Sequence, residues 1–232
     1  MAAVFTIVSL LVGTSSVVTA SQEKAEPPAG ATVTARLEKA EPPEELDPAV
    51  RQLLDRQALV VRNGDAVLMR VWFRAEVPVK ATEEQVRNGL TYREIPEGTL
   101  VGALEFPDKF TDYRKQELPA GVYTLRFAIQ PDIGDHTDTS PHPEFCLLCR
   151  AADDTSPELI DKKNLIARSS RVNEGRHPAV LLLWPNYDKD AGVKVLDKGD
   201  GVRVAALKRP VVADGLKTTL GFAITVAGVR KE

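Results

Sequence analysis

Between Val67 and Val77 every odd-numbered residue is apolar (Val67, Met69, Val71, Phe73, Ala75, Val77), while Arg70, Arg74 and Glu76 take even places. Successive Cβ atoms of an extended chain point to opposite sides, so this period of two is that of a strand with one covered face. A helix would scatter the same six apolar side chains around its axis. The preceding run, 58–62, is joined to it through Asn63-Gly64. That dipeptide tolerates positive φ at turn positions, and the two runs predict a hairpin.

The alternation returns in Tyr123, Leu125, Phe127 and Ile129, and again in Leu220, Phe222, Ile224 and Val226. Weaker strand signals cover 100–106, 145–149, 179–184, 193–196 and 202–207, the last two separated by the turn-forming Lys198-Gly199-Asp200-Gly201. About nine strands in this length predict an all-β fold, a single β-sandwich. One or two short helices accompany it. Ser156-Pro157-Glu158 supplies a cap and a first-turn proline for a helix running to about Arg171, and Thr82 to Asn88 suits a shorter one.

Only two cysteines in 232 residues exclude a disulfide-dense scaffold, and a hydrophobic content of 43% is enough for one sizeable core. The net charge of -3 is an average over unlike parts. Residues 1–20 carry no charge and run apolar from Ala2 to Leu11 before Val18-Thr19-Ala20, the small-residue spacing of a cleaved export signal. Residues 21–48 repeat Glu-Lys-Ala-Glu-Pro-Pro at 23–28 and 38–43 and hold seven acids against three bases. Such a segment reads as a Pro/Glu-rich spacer, leaving 49–232 as the β-sandwich domain at a net +1. A nearly neutral body has no clustered positive charge with which to displace counterions from phosphates, so nucleic acid is not an expected partner. No further segment reaches spanning length, so no membrane span is expected after signal cleavage.

Glu117-Leu118-Pro119-Ala120-Gly121-Val122-Tyr123-Thr124-Leu125 resembles the Pro-x-Gly-x-Tyr-x-Leu opening of a strand in transthyretin-like and other secreted bacterial β-sandwich modules. The longer stretch from Asp112-Tyr113-Arg114 through Gly134-Asp135-His136 to Glu144-Phe145-Cys146-Leu147-Leu148 is similar to an uncharacterised family of secreted bacterial proteins. The resemblance implies a sandwich fold and a secreted, periplasmic or cell-surface location, and it brings no activity. Physically, Tyr123 suits a tyrosine corner, its ring inward and its hydroxyl on a nearby backbone group.

One stretch gathers chemistry beyond structural need, and a second, lesser place is weighed after it. Residues 131–143 join two predicted strands by thirteen residues and concentrate Asp132, Asp135, His136, Asp138 and His142. Imidazole and carboxylate are ligands for zinc or copper, which makes Asp135, His136 and His142 candidate ligands of a divalent metal. Cys146 and Cys149 follow, giving His-x5-His-x3-Cys-x2-Cys. Three apart on a strand, the two cysteines face opposite ways, which argues against a shared site or a local bridge. They are read as free, bridged or metal-bound. The second place is Arg70, Trp72 and Arg74, on the face of their strand opposite the apolar one. A ring there stacks on a sugar and guanidinium groups pair with acidic substituents, or else the Arg stems cover Trp72 as a second packed layer.

Asn186, Asp188, Asp190 and Asp197 fit positions of a calcium loop, but Ala191 stands where its sharp turn needs Gly. No nucleophile elbow, phosphate loop, zinc helix or dinucleotide fingerprint occurs. The sequence therefore leads to an exported, non-catalytic binding or structural module of the bacterial cell envelope, with a glycan, peptide or envelope protein as partner. The alternative is a metal-binding protein or metal-dependent enzyme with its site in 131–143.

Overall fold

Alternation in the sequence becomes pairing in the structure, a computed structural model that describes residues 32–131, 140–174 and 177–230. In chain order the strands are β1 (Val33–Lys39), β2 (Gln57–Asn63), β3 (Ala66–Phe73), β4 (Val77–Pro78), β5 (Leu100–Phe106), β6 (Phe110–Thr111) and β7 (Glu117–Leu118). They continue as β8 (Gly121–Ile129), β9 (Glu144–Arg150), β10 (Val180–Leu182), β11 (Lys194–Asp197), β12 (Arg203–Ala213) and β13 (Leu216–Ala227). The helices are α1 (Pro48–Arg51), α2 (Glu83–Asn88) and α3 (Lys162–Ser170).

A seven-stranded antiparallel sheet runs β1-β2-β3-β5-β8-β9-β10. A second sheet, β11-β12-β13, faces it, with β4 added to β12 in parallel. The fold is an all-β sandwich. The predicted hairpin is β2–β3, its corner at Gly64 with φ of 58°, and Val61 opposite Met69.

Odd-numbered side chains of β3 and β8 meet the second sheet in the main core, where Met69, Phe73, Leu125 and Phe127 pack with Leu207, Phe222 and Ile224. The Phe73 and Phe222 rings lie 5.4 Å apart across the sheets. Each such buried apolar side chain stabilises the fold by roughly 1.5–3 kcal/mol before entropy is counted. Tyr92 ties the layers with one polar atom: its hydroxyl donates to the Trp184 carbonyl (3.0 Å) and accepts from Ala223 N–H (2.9 Å). Tyr123 is buried and donates to the Pro119 carbonyl at 2.8 Å, the expected corner.

Three expectations shift. Residues 33–48, read as spacer, are built into the domain: β1 pairs along its whole length with β2, and Leu46 is buried. Composition hid this because Val33 and Ala35 pack against the core while Thr34, Arg36 and Lys39 face solvent. The helix expected from Ser156 begins at Lys162, capped by the Asp161 carboxylate, which accepts from Asn164 N–H at 3.1 Å. Residues 156–160 form an irregular, bent segment instead, with the Ser156 and Glu158 carbonyls turned to Arg126. Finally β12 and β13 outrun their predicted lengths, β12 running on through Pro210, which sits exposed opposite Thr219 without breaking the hairpin. Among the described residues no helix is long and apolar enough to cross a membrane.

Candidate functional site

The Arg70, Trp72, Arg74 triplet is divided by its surroundings. Arg70 Nη1 donates to Glu105 Oε2 at 2.8 Å, across the register of β3 and β5. Trp72 is 2% exposed, packed among Leu46, Val50 and Leu54, and its Nε1 donates to the Ala40 carbonyl at 2.9 Å. The segment around α1 covers the indole, so its ring forms a second packed layer and presents no open face for a sugar. Arg74, just past β3, makes no side-chain hydrogen bond or ion pair with another described residue.

Asp135 and His136 lie outside the described residues. His142 stands edge-on to Trp184, ring centroids 4.9 Å apart, and its backbone N–H reaches Ser140 Oγ at 3.2 Å. Burial holds its imidazole pKa below the ordinary value, with Glu144 opposing. Cys146 is in the main core and Cys149 in the outer cluster, on opposite faces of β9. Both are free; burial pushes the Cys146 thiol up and Cys149 to about 12, so neither offers a thiolate near neutral pH. Among the described residues no group of three His, Cys, Asp or Glu side chains could hold a metal ion. The calcium-like residues are occupied otherwise: Asp188 and Asp190 both bind Lys194, and Asn186 donates to the Leu207 and Phe222 carbonyls.

On the outer face of the first sheet the sequence placed an Arg inside an apolar strand, and the structure buries it completely. Arg126 makes a fork to Asp154, Nε to Oδ2 at 2.8 Å and Nη2 to Oδ1 at 2.9 Å. Its remaining donors go to the Gly98, Glu158 and Ser156 carbonyls. Asp154 also accepts from Thr124 Oγ1 (2.5 Å) and Arg168 Nη1 (2.9 Å). Five donors and four acceptor positions are thus filled, which leaves nothing for a ligand. This centre is a clamp that fixes the 154–160 segment and, through Arg168, α3.

The clamp positions a trough of about 500 Å³ beside it. Its floor is the outer face of β8, β9 and β10 (Ala128, Phe145, Leu147, Val180), and α3 contributes Ile166 as a partly exposed wall. One end is closed by a neutralised pair, Lys162 Nζ to Glu97 Oε1 at 3.2 Å. The other end is cationic. Arg114 and Arg230 both line it; burial lowers the Arg114 pKa, with Asp112 opposing and repulsion from Arg230 adding a smaller push. Arg114 donates to the Pro178 carbonyl at 2.5 Å and pairs with the Asp112 carboxylate, Nε to Oδ2 at 3.8 Å. Burial raises the Asp112 pKa, and its Oδ2 has no hydrogen-bond partner. The trough has the size and apolar lining of a small-molecule site with polarity confined to its ends.

Sequence reading did not find this trough. Its signal was present in β9, where Phe145 and Leu147 on one face and Cys146 and Leu148 on the other are all apolar. A strand apolar on both faces requires a second cover, whether helix or ligand. No family model, curated protein or solved structure matches this chain.

Proposed function

We propose that this chain is an exported, non-catalytic binding module of the bacterial cell envelope, and that its ligand is an elongated amphiphile with an anionic end. The observation that carries the reading is the trough over β8–β10: an apolar floor, a neutralised far end and a cationic near end at Arg114 and Arg230. An alkyl or acyl chain matches the floor, where burial is worth about 0.8 kcal/mol per methylene. A carboxylate or phosphate matches the guanidinium end. The uncharged, apolar first twenty residues support export, and the near-neutral body gives nucleic acid no purchase.

Titration calorimetry with dodecanoate and dodecanol tests it. Dodecanoate is expected to bind, dodecanol more weakly, and Ile166→Glu to reduce dodecanoate affinity by at least about tenfold while the far-ultraviolet spectrum stays unchanged. The ligand should be recovered chemically intact. Absence of dodecanoate binding, or binding indifferent to Ile166→Glu, defeats the reading.

A further inference from the structure

A second pocket lies at the end of β3, where the chain leaves the first sheet to pair with the second. Its volume is about 460 Å³. Arg74 is fixed beside it from two sides: its N–H donates to the Val101 carbonyl at 2.9 Å, and it bridges Leu54 on the other flank. The backbone is therefore rigid, and the guanidinium is half-buried in a pocket walled by Leu53, Pro78, Pro96, Pro157 and Leu159.

Proline has no N–H, so three of these walls offer no backbone donor, and the polar lining is confined to the side chains of Arg74, Gln52, Lys80, Thr99 and Glu158. That guanidinium makes no hydrogen bond to a described residue, and the carboxylate that attracts it is Glu158, at longer range. The contrast with its neighbours decides the matter. Arg126, further along the outer face, has every donor filled, Arg70 has Glu105, and Arg209 has Asp55 at 2.6 Å. Holding a guanidinium partly out of water without a hydrogen-bond partner is costly, and a carboxylate fork would relieve that cost with two parallel bonds. Leu159, 58% exposed at the rim, is a large apolar side chain with no structural need to be there.

Local charge selects among anions. Lys80 and Glu158 also line the pocket; Glu158 attracts the Arg74 guanidinium and Arg126 repels it, so Arg74 and Lys80 stand against a single carboxylate. The surplus is one positive charge. We infer that the Arg74 pocket is a second ligand site, for a monoanionic carboxylate carried on a compact apolar body such as an aromatic or cyclic ring. The flat proline walls suit the ring, and Arg74 takes the carboxylate.

The probe is benzoate, with benzyl alcohol as its neutral counterpart and phenyl phosphate as a doubly charged one, followed by nuclear magnetic resonance on the full chain. Benzoate is expected to shift the Arg74 Nε–H resonance saturably and to outcompete both counterparts. Arg74→Gln should weaken it about 10- to 100-fold, as expected for losing hydrogen bonds to a charged group. Arg74→Lys should retain part of the affinity, and Ile166→Glu in the trough should leave it unchanged. Should Arg74→Gln fail to fold, the Arg74 resonance in the unaltered chain still decides. The inference is overturned if benzoate does not saturate, if benzyl alcohol binds as well, if phenyl phosphate is preferred, or if Ile166→Glu alone removes the binding.

Discussion

Asp154 has no exposed surface, yet four hydrogen bonds converge on its carboxylate. Taking an ion pair out of water is expensive, and the expense is tolerable only because every partner is present; removing one leaves an uncompensated charge at about 3–5 kcal/mol. Asp154→Ala is therefore expected to lower stability by about that amount in urea titrations, whereas Arg126→Met combined with Asp154→Leu should cost much less than the two single changes added. Asp112 shows the opposite electrostatic balance. Burial raises its pKa, so the native state keeps a proton that the unfolded chain releases near pH 4. Stability from that proton is complete at lower pH and is lost as pH rises through the raised value. Denaturation midpoints taken between pH 3.5 and 7, roughly the window of carboxyl titration, should thus fall relative to those of Asp112→Asn.

The elements were legible wherever one face was polar. Alternation in 67–77 and 123–129 marked β3 and β8, and Asn63-Gly64 marked the hairpin between β2 and β3. The opposite orientation of Cys146 and Cys149 also followed from their spacing on β9. What escaped notice depended on partners distant in sequence. A packed layer over Trp72 was one of the readings open in the sequence, but its cover was not found there, because Ala40 and Leu46 stood in the segment read as a spacer. The trough was hidden for the same reason, being assembled from three strands and α3. Composition thus misplaces the start of the domain, which has a measurable consequence. A chain beginning at residue 49 loses β1, Leu46 and the acceptor of the Trp72 indole. Burial of Leu46 alone is worth about 1.5–3 kcal/mol. Trp72 emission should shift to the red and the melting temperature should drop; an unchanged melting temperature would return those residues to the spacer.

Across the molecule, contacts distant in sequence bind the two sheets into one unit. β4 at residues 77–78 pairs with β12 at 211–212, Asp55 holds Arg209 at 2.6 Å, and Tyr92 bonds Ala223. The chain contains two tryptophans, and they report on different layers: Trp72 on the outer face of the first sheet, Trp184 against Thr225 of the second at 2.8 Å. Single-tryptophan variants Trp72→Phe and Trp184→Phe are each expected to show one unfolding transition, at denaturant midpoints separated only by the difference in their calorimetric stabilities. Two transitions within either variant would mean that the sheets melt separately.

The division of the sandwich along the chain has a temporal meaning. All seven strands of the first sheet are complete by Leu182, while the second sheet comes chiefly from residues 194–227. A polypeptide that emerges amino end first therefore assembles one whole layer before most of its cover exists. During that interval Met69, Phe73, Leu104 and Phe127 stand on an uncovered oily surface, the kind that attracts other nascent chains. Residues 194–227 act as the closure of the molecule, and a chain stopped short of them is an adhesive one.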